Sequence, residues 1–167
     1  MKACKICMIG DFAVGKTSLV SRFVHQCFDQ RYQTTVGVRI DTAELTLPSG
    51  DHLKLVLWDI AGRSDFADIT PRYLEGSAGY LLVADGTRRE TLAGALGTRE
   101  AIRRLAGDLP FCLLLNKRDQ SDTWQLDDAM RAPLATLDHP VLETSALDGS
   151  GVAEAFQRLG AQLVHRL

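Results

Sequence analysis

The sequence predicts a doubly wound α/β domain: a six-stranded, mainly parallel sheet with one antiparallel edge strand and five flanking helices. Three observations predict it. Apolar runs alternate with segments of helical periodicity along the 167 residues. Gly10-Asp11-Phe12-Ala13-Val14-Gly15-Lys16-Thr17 has the spacing G-x-x-x-x-G-K-[ST] and lies between an apolar run and a helical pattern. Asn116-Lys117-Arg118-Asp119 directly follows the most apolar run. Sheets of this kind bind ligands at the carboxyl ends of their strands, where both segments fall.

Each element follows in order. Residues 3–9 read as the first strand and lead into the Gly-rich loop. Residues 16–25 read as a helix with Leu19, Val20 and Phe23 inward. Residues 26–36 are polar and irregular and read as an exposed loop. Residues 37–47 and 52–59 alternate in polarity and are joined by Pro48-Ser49-Gly50-Asp51, which predicts an antiparallel hairpin. Residues 60–76, with Gly, Asp, Pro and Ser, read as a mobile loop. Residues 79–84 and 111–115 are continuously apolar, as in strands covered on both faces. Between them, Leu92, Leu96, Ile102 and Leu105 form a helical stripe. Arg99, Arg103 and Arg104 fall outside it, as a solvated basic face or, more pointedly, a partner site. A weaker helix covers 125–136 and a short strand 140–143. The last helix, 151–165, puts Val152, Phe156, Leu159 and Leu163 on one face.

Length fits one domain over 1–167, long enough to bury a core without staples. Net charge is −2, so no strong field favours nucleic acid or an acidic membrane. Cys4 and Cys7 form a C-x-x-C, but no second Cys/His pair follows at zinc spacing, and both lie in the first strand. They read as buried thiols, and with Cys27 and Cys112 they suggest no disulfide framework. No apolar run reaches 18 residues and no signal peptide is visible; a reducing cytoplasm suits the thiols, and a monomer is the default expectation. The chain ends His165-Arg166-Leu167 without a terminal Cys, so recruitment to a membrane would use a partner or a further tail.

A phosphate chain is bound well by consecutive backbone N–H groups at a helix N-terminus. Asp11, Ala13, Val14, Gly15, Lys16, Thr17 and Ser18 are the candidates for that role. Lys16 would reach the outer phosphates, and Thr17 would offer its hydroxyl to magnesium. Asp59 ends a strand in Trp58-Asp59-Ile60-Ala61-Gly62, where it could hold the same ion through water. The Gly62 amide has room to approach a terminal phosphate. The Asp119 carboxylate can accept two N–H bonds from guanine, a donor pair adenine lacks. Asn116 can serve the N7 edge and Lys117 the base plane. In Thr144-Ser145-Ala146, the Ala146 amide can donate to guanine O6, and Ser145 and Leu147 are further candidates to contact the nucleotide. Taken singly, the plain alternatives are a chance Gly-rich turn and a polar loop; together the segments point to GTP or GDP with magnesium.

With these motifs in order along the whole chain, the sequence resembles a small GTPase of the Ras superfamily, the Rab branch most of all. The resemblance implies a P-loop small G domain that switches effectors through two loops, about 26–37 and 60–76. It implies that Thr35 ligates magnesium and touches the γ-phosphate, that Phe28 packs against guanine, and that Tyr32 covers the phosphates. It implies partners (effectors, an exchange factor, a GTPase-activating protein) at a surface of Ile40, Trp58 and Tyr73. Plain core packing is the competing account of Trp58.

Two positions depart from that pattern. Arg63 stands where the family carries its catalytic glutamine, and Ser64 follows it. Glutamine donates and accepts; a guanidinium only donates, so it cannot orient the attacking water in the same way. Phe12 replaces a small residue beside the γ-phosphate and would crowd an incoming arginine finger. Together with Lys16, Thr35 and Gly62, Arg63 completes the candidate catalytic set. Slow hydrolysis, hydrolysis assisted by Arg63 in cis, and a GTP-locked interaction module with little or no hydrolysis all remain open. An adenine-nucleotide kinase is disfavoured by Asp119 and Ala146.

Overall fold

The computed structural model describes residues 1–26, 37–61 and 71–166. Cys27, Phe28, Tyr32, Thr35, Gly62, Arg63 and Ser64 lie outside the described residues, so the roles expected of them are taken up below as proposals.

The strands are β1 Lys2–Gly10, β2 Val38–Thr46, β3 His52–Ile60, β4 Ser77–Asp85, β5 Phe111–Asn116 and β6 Val141–Glu143. The α-helices are α1 Lys16–His25, α2 Pro71–Leu74, α3 Glu90–Ala106, α4 Asp128–Arg131 and α5 Val152–Val164. The sheet order is β2-β3-β1-β4-β5-β6. Only the β2–β3 pair is antiparallel; every other neighbouring pair is parallel. β1 lies between β3 and β4, so its carboxyl end opens onto the middle of the sheet edge.

Strand periodicity divides the core in two. From β1, Cys4, Ile6 and Met8 enter one cluster, with Leu19 and Val20 of α1 and Phe156, Leu159 and Leu163 of α5. Cys7 and Ile9 enter the other, with Leu92 and Ile102 of α3 and Phe111, Leu113 and Leu115 of β5. Cys4 and Cys7 therefore point to opposite faces and cannot share a metal ion. Burial raises the pKa of both thiols. Stacked rings of Phe23 and Phe156, with centroids 3.6 Å apart, lock α1 to α5 beneath the first cluster.

Three details differ from the sequence expectation. Leu105 is 53% exposed. It has the angular position of the buried face, but that face ends at Ile102 and the last turn of α3 runs past its cover. The helix expected over 125–136 is a four-residue α4 followed by a 3-10 turn, Ala132–Thr136. Pro133 removes a backbone donor and ends the α ladder there. Arg99 is not simply solvated: its guanidinium lies 5.3 Å over the Phe111 ring and pairs with Glu100, as does Arg103. No helix among the described residues is long and apolar enough to cross a membrane.

Candidate nucleotide site

The Gly-rich loop leaves β1 at Gly10, where an added Cβ would sit 2.4 Å from the Val83 carbonyl of β4. Only glycine allows that approach. α1 starts after Gly15, whose φ is 104°, with no side-chain cap and no acidic residue in its first turn. Its N-terminal amides are thus not claimed by a capping side chain, and its dipole favours an anion.

The carbonyls of this loop are taken one after another. Lys16 Nζ donates to the Gly10 and Asp11 carbonyls at 2.8 and 2.9 Å. Arg88 Nη2 donates to Phe12 O at 2.8 Å, Lys117 Nζ to Ala13 O at 2.9 Å, and Asn116 Nδ2 to Val14 O at 2.9 Å. In a trans peptide the N–H points opposite to the C=O. Holding the Phe12, Ala13 and Val14 carbonyls outward therefore turns the Ala13, Val14 and Gly15 N–H groups the other way, as a row of donors. Ala13 itself adopts a left-handed φ of 61°, a strained conformation that these contacts hold.

Lys16 is buried, and burial lowers its pKa to about 8; Asp59 and Asp11 oppose that shift, and Arg88 adds to it. Asp11 turns its carboxylate towards Gly94 of α3 rather than into the loop, and burial raises its pKa. What Asp11 gives the site is its backbone. Ser18 follows Thr17 in the first turn of α1. Phe12, at the loop's tip, is 48% exposed.

Thr17 donates its hydroxyl to Asp59 Oδ2 at 2.5 Å, across 42 residues of sequence. Asp59 is fully buried at the carboxyl end of β3. One neutral and one anionic oxygen side by side are hard donors of the kind Mg2+ takes when it keeps waters and phosphate oxygens. The pair fits the magnesium expected from the sequence.

The segment from Asn116 is assembled on β5 and β6. Asn116 Oδ1 accepts from Thr144 Oγ1 at 3.0 Å while its amide holds the loop. Asp119 accepts from Ser145 Oγ at 2.7 Å, which fixes the carboxylate expected to read guanine. Lys117, with a left-handed φ of 69°, ties its head group to Ala13 O and to Asp85 Oδ2 at 2.9 Å. What it can offer a base is its methylene stem. Ala146 is buried and Leu147 half-exposed. Arg22 of α1 holds both by donating to the Ala146 carbonyl at 2.8 Å and to the Leu147 carbonyl.

Sequence reasoning missed Asp85, Arg88 and Arg22. Asp85 ends β4, is 1% exposed, and gathers Thr87, Arg88 and Lys117 on its carboxylate. Burial pushes its pKa up, but the hydrogen bonds from Thr87, Lys117 and Arg88 outweigh that and hold it below the usual range. An aspartate closing an apolar strand at the ligand end of the sheet was the available signal.

Of the residues expected at a partner surface, Ile40, Trp58 and Tyr73 all lie among the described residues. Ile40 of β2 is exposed and pairs across the hairpin with Trp58. Trp58 packs against the second core cluster, and Lys5 Nζ lies 3.9 Å over its ring. Tyr73 of α2 is tied in through its carbonyl, which accepts from Cys7 Sγ. Trp58 is thus both a core contact and half-open.

A family model described as Ras matches residues 5–165. Among curated proteins, the chain is 34% identical over 163 residues to Ras-related protein RABA2d of Arabidopsis thaliana, covering 96% of this chain and 75% of that one. It is 34% identical over 166 residues to Ras-related protein RABA5a of the same plant, covering 98% and 74%. It is 34% identical over 167 residues to GTP-binding protein ypt1 of Schizosaccharomyces pombe, covering 98% and 81%. With a matching model over nearly its full length, relatives of the Rab branch, and the six-stranded sheet of a small G domain, the chain belongs to the Ras family.

Proposed function

We propose that this chain is a guanine-nucleotide switch that binds GTP and GDP with magnesium and hydrolyses GTP slowly. The observation that carries the reading is the docking of Asn116 and Lys117 onto the Val14 and Ala13 carbonyls. It joins the segment proposed to read guanine directly to the loop proposed to hold the phosphates, so one ligand would meet both. The printed name of the yeast relative, a GTP-binding protein, supports the same ligand.

In this reading the amides of residues 13–17 and the Lys16 ammonium hold the phosphates. Asp119 and the amides of Ala146 and Leu147 select guanine. Thr17, Thr35 and Asp59 hold magnesium, which would screen the phosphate charge. Hydrolysis forms a bond from a water oxygen to the γ-phosphorus and breaks the bond to the β,γ-bridging oxygen. GDP and inorganic phosphate result, and the water proton passes to phosphate. Lys16 and the Gly62 amide steady the charge that develops. Phe28 and Tyr32 close over base and phosphates. Arg63 replaces the residue that would orient the water, so the rate falls below the family's intrinsic ~10⁻⁴ s⁻¹.

The switch loops, 26–37 and 60–76, would be ordered by the γ-phosphate and released after its loss. Effectors, an exchange factor and an activating protein would then meet the monomer at Ile40, Trp58 and Tyr73. The working place would be the cytoplasm, with recruitment to membranes through a partner or a further tail. The exposed Phe12 on the phosphate loop favours a second reading, a GTP-gated module with almost no turnover.

Single-turnover hydrolysis of bound GTP, beside an Arg63→Gln variant, tests this. Slow wild-type turnover with a faster variant supports a braked switch. A faster wild type and a slower variant would make Arg63 a catalytic cation. No turnover in either leaves the GTP-gated module.

A further inference from the structure

Two arginines hold backbone carbonyls of the site's loops. Arg88 stands in the loop between β4 and α3, on neither nucleotide motif. Its Nη2 donates to Phe12 O at 2.8 Å and its Nε to Asp85 Oδ2 at 3.0 Å. The same carboxylate holds Lys117, which donates to Ala13 O. One buried anion thus fixes two cations on two consecutive carbonyls of the phosphate loop. Arg22 stands on α1 and forks onto the Ala146 and Leu147 carbonyls. The neighbouring turn is closed by Gly149 N donating to Ser145 O at 2.8 Å and Asp148 N donating to Ser145 Oγ at 3.2 Å.

Peptide geometry turns these contacts into consequences for the ligand. With Phe12 C=O held by Arg88, the Ala13 N–H on the same peptide points away from Arg88 and into the loop. With Ala146 C=O held by Arg22, the Leu147 N–H points away from α1. A guanidinium is planar and always charged, and its fork fixes direction as well as distance. Alone, a loop with Ala13 at φ 61° would relax.

We propose that Arg88 and Arg22 are positioning residues that act on the two halves of the nucleotide site independently: Arg88 aims the Ala13 amide of the phosphate loop, and Arg22 aims the Leu147 amide on the side of guanine O6. The inference rests on the guanine-nucleotide reading above. Neither side chain touches nucleotide in this scheme. Removing each one loosens one half and leaves the other intact.

The test is a double dissociation. Affinities for GDP, GMP and 2-aminopurine riboside diphosphate, which lacks O6, are measured by competition with a fluorescent GDP. The proteins are wild type, Arg88→Ala and Arg22→Ala. For Arg88→Ala, the preference for GDP over GMP falls about tenfold, as expected for loss of a charge-assisted hydrogen bond. Its preference for GDP over the O6-less analogue stays at the wild-type value. For Arg22→Ala the pattern reverses. Arg88→Lys and Arg22→Lys, which keep the charge and lose the fork, shift the same ratios in the same direction and keep the test open if an alanine variant does not fold. Both ratios moving together, or neither moving, overturns the proposal. A wild type that binds no GDP would instead sink the nucleotide reading, so the two failures are distinct.

Discussion

Lys117 and Asp85 meet at 2.9 Å, and through that contact the segment Asn116–Asp119 is anchored to the end of β4. Asp85 is 1% exposed and its pKa is held below the usual carboxylate range. A carboxyl depressed in the folded state stabilises the fold above its unfolded pKa, and that contribution disappears as pH falls through the folded value. Asp85→Asn keeps the shape, leaves Lys117 and Arg88 without their anion, and lowers stability at pH 7 by about 3 kcal/mol. The gap between wild type and variant closes below about pH 4. Chemical denaturation at several pH values measures both, and a gap that stays constant down to pH 3 would refute the assignment.

Gly15 and Asn116 are in a similar relation. A Cβ at Gly15 would stand 2.3 Å from Asn116 Nδ2, and φ at that position is 104°. Gly15→Ala must therefore displace the amide that holds Val14 O and also strain the start of α1. The expected loss is roughly 2–3 kcal/mol in stability, with GDP binding reduced in parallel. Nucleotide titration and thermal melting of the same preparation check it. Full GDP affinity would mean that Asn116 does not set the loop.

Much of this arrangement is legible in the sequence because the signals are local. The Gly-rich loop, the hairpin turn at Pro48-Ser49-Gly50-Asp51 and the alternation in β2 and β3 each lie within a few residues, and one dihedral or one periodicity explains them. Arg88 and Phe12 are 76 residues apart and Arg22 and Ala146 are 124 apart, and no pattern joins such pairs before the chain folds. Leu105 shows a different limit: its spacing is right for the buried face, but periodicity does not say where the cover ends. Trp58 resisted a single assignment for a physical reason too, since it packs on the core below and carries Lys5 above.

Asp119 is fixed by Ser145 Oγ at 2.7 Å, which aims the carboxylate without using its negative charge on a nearby cation. Asp119→Asn replaces an acceptor by an amide that can donate to the 2-oxygen of xanthine. Guanine affinity drops at least about tenfold and xanthine nucleotides gain relative to it. Competition between GDP and xanthosine diphosphate reads this directly. If the order of preference stays as in wild type, Asp119 does not contact the base.

Thr17 and Asp59 share one short hydrogen bond, so each defines where the other's oxygen points. Thr17→Asn keeps a polar side chain but is longer by one heavy atom and replaces the hydroxyl. It pushes against a fully buried carboxylate. Magnesium held by this pair would then lack one oxygen donor, and GTP, whose γ-phosphate would share the ion, would suffer more than GDP. The expected result is a lowered GTP-to-GDP affinity ratio in magnesium and a ratio near that of wild type in excess chelator. Measuring both ratios separates a metal effect from a packing effect: an equal deficit with and without the metal would assign Thr17 to holding Asp59 alone.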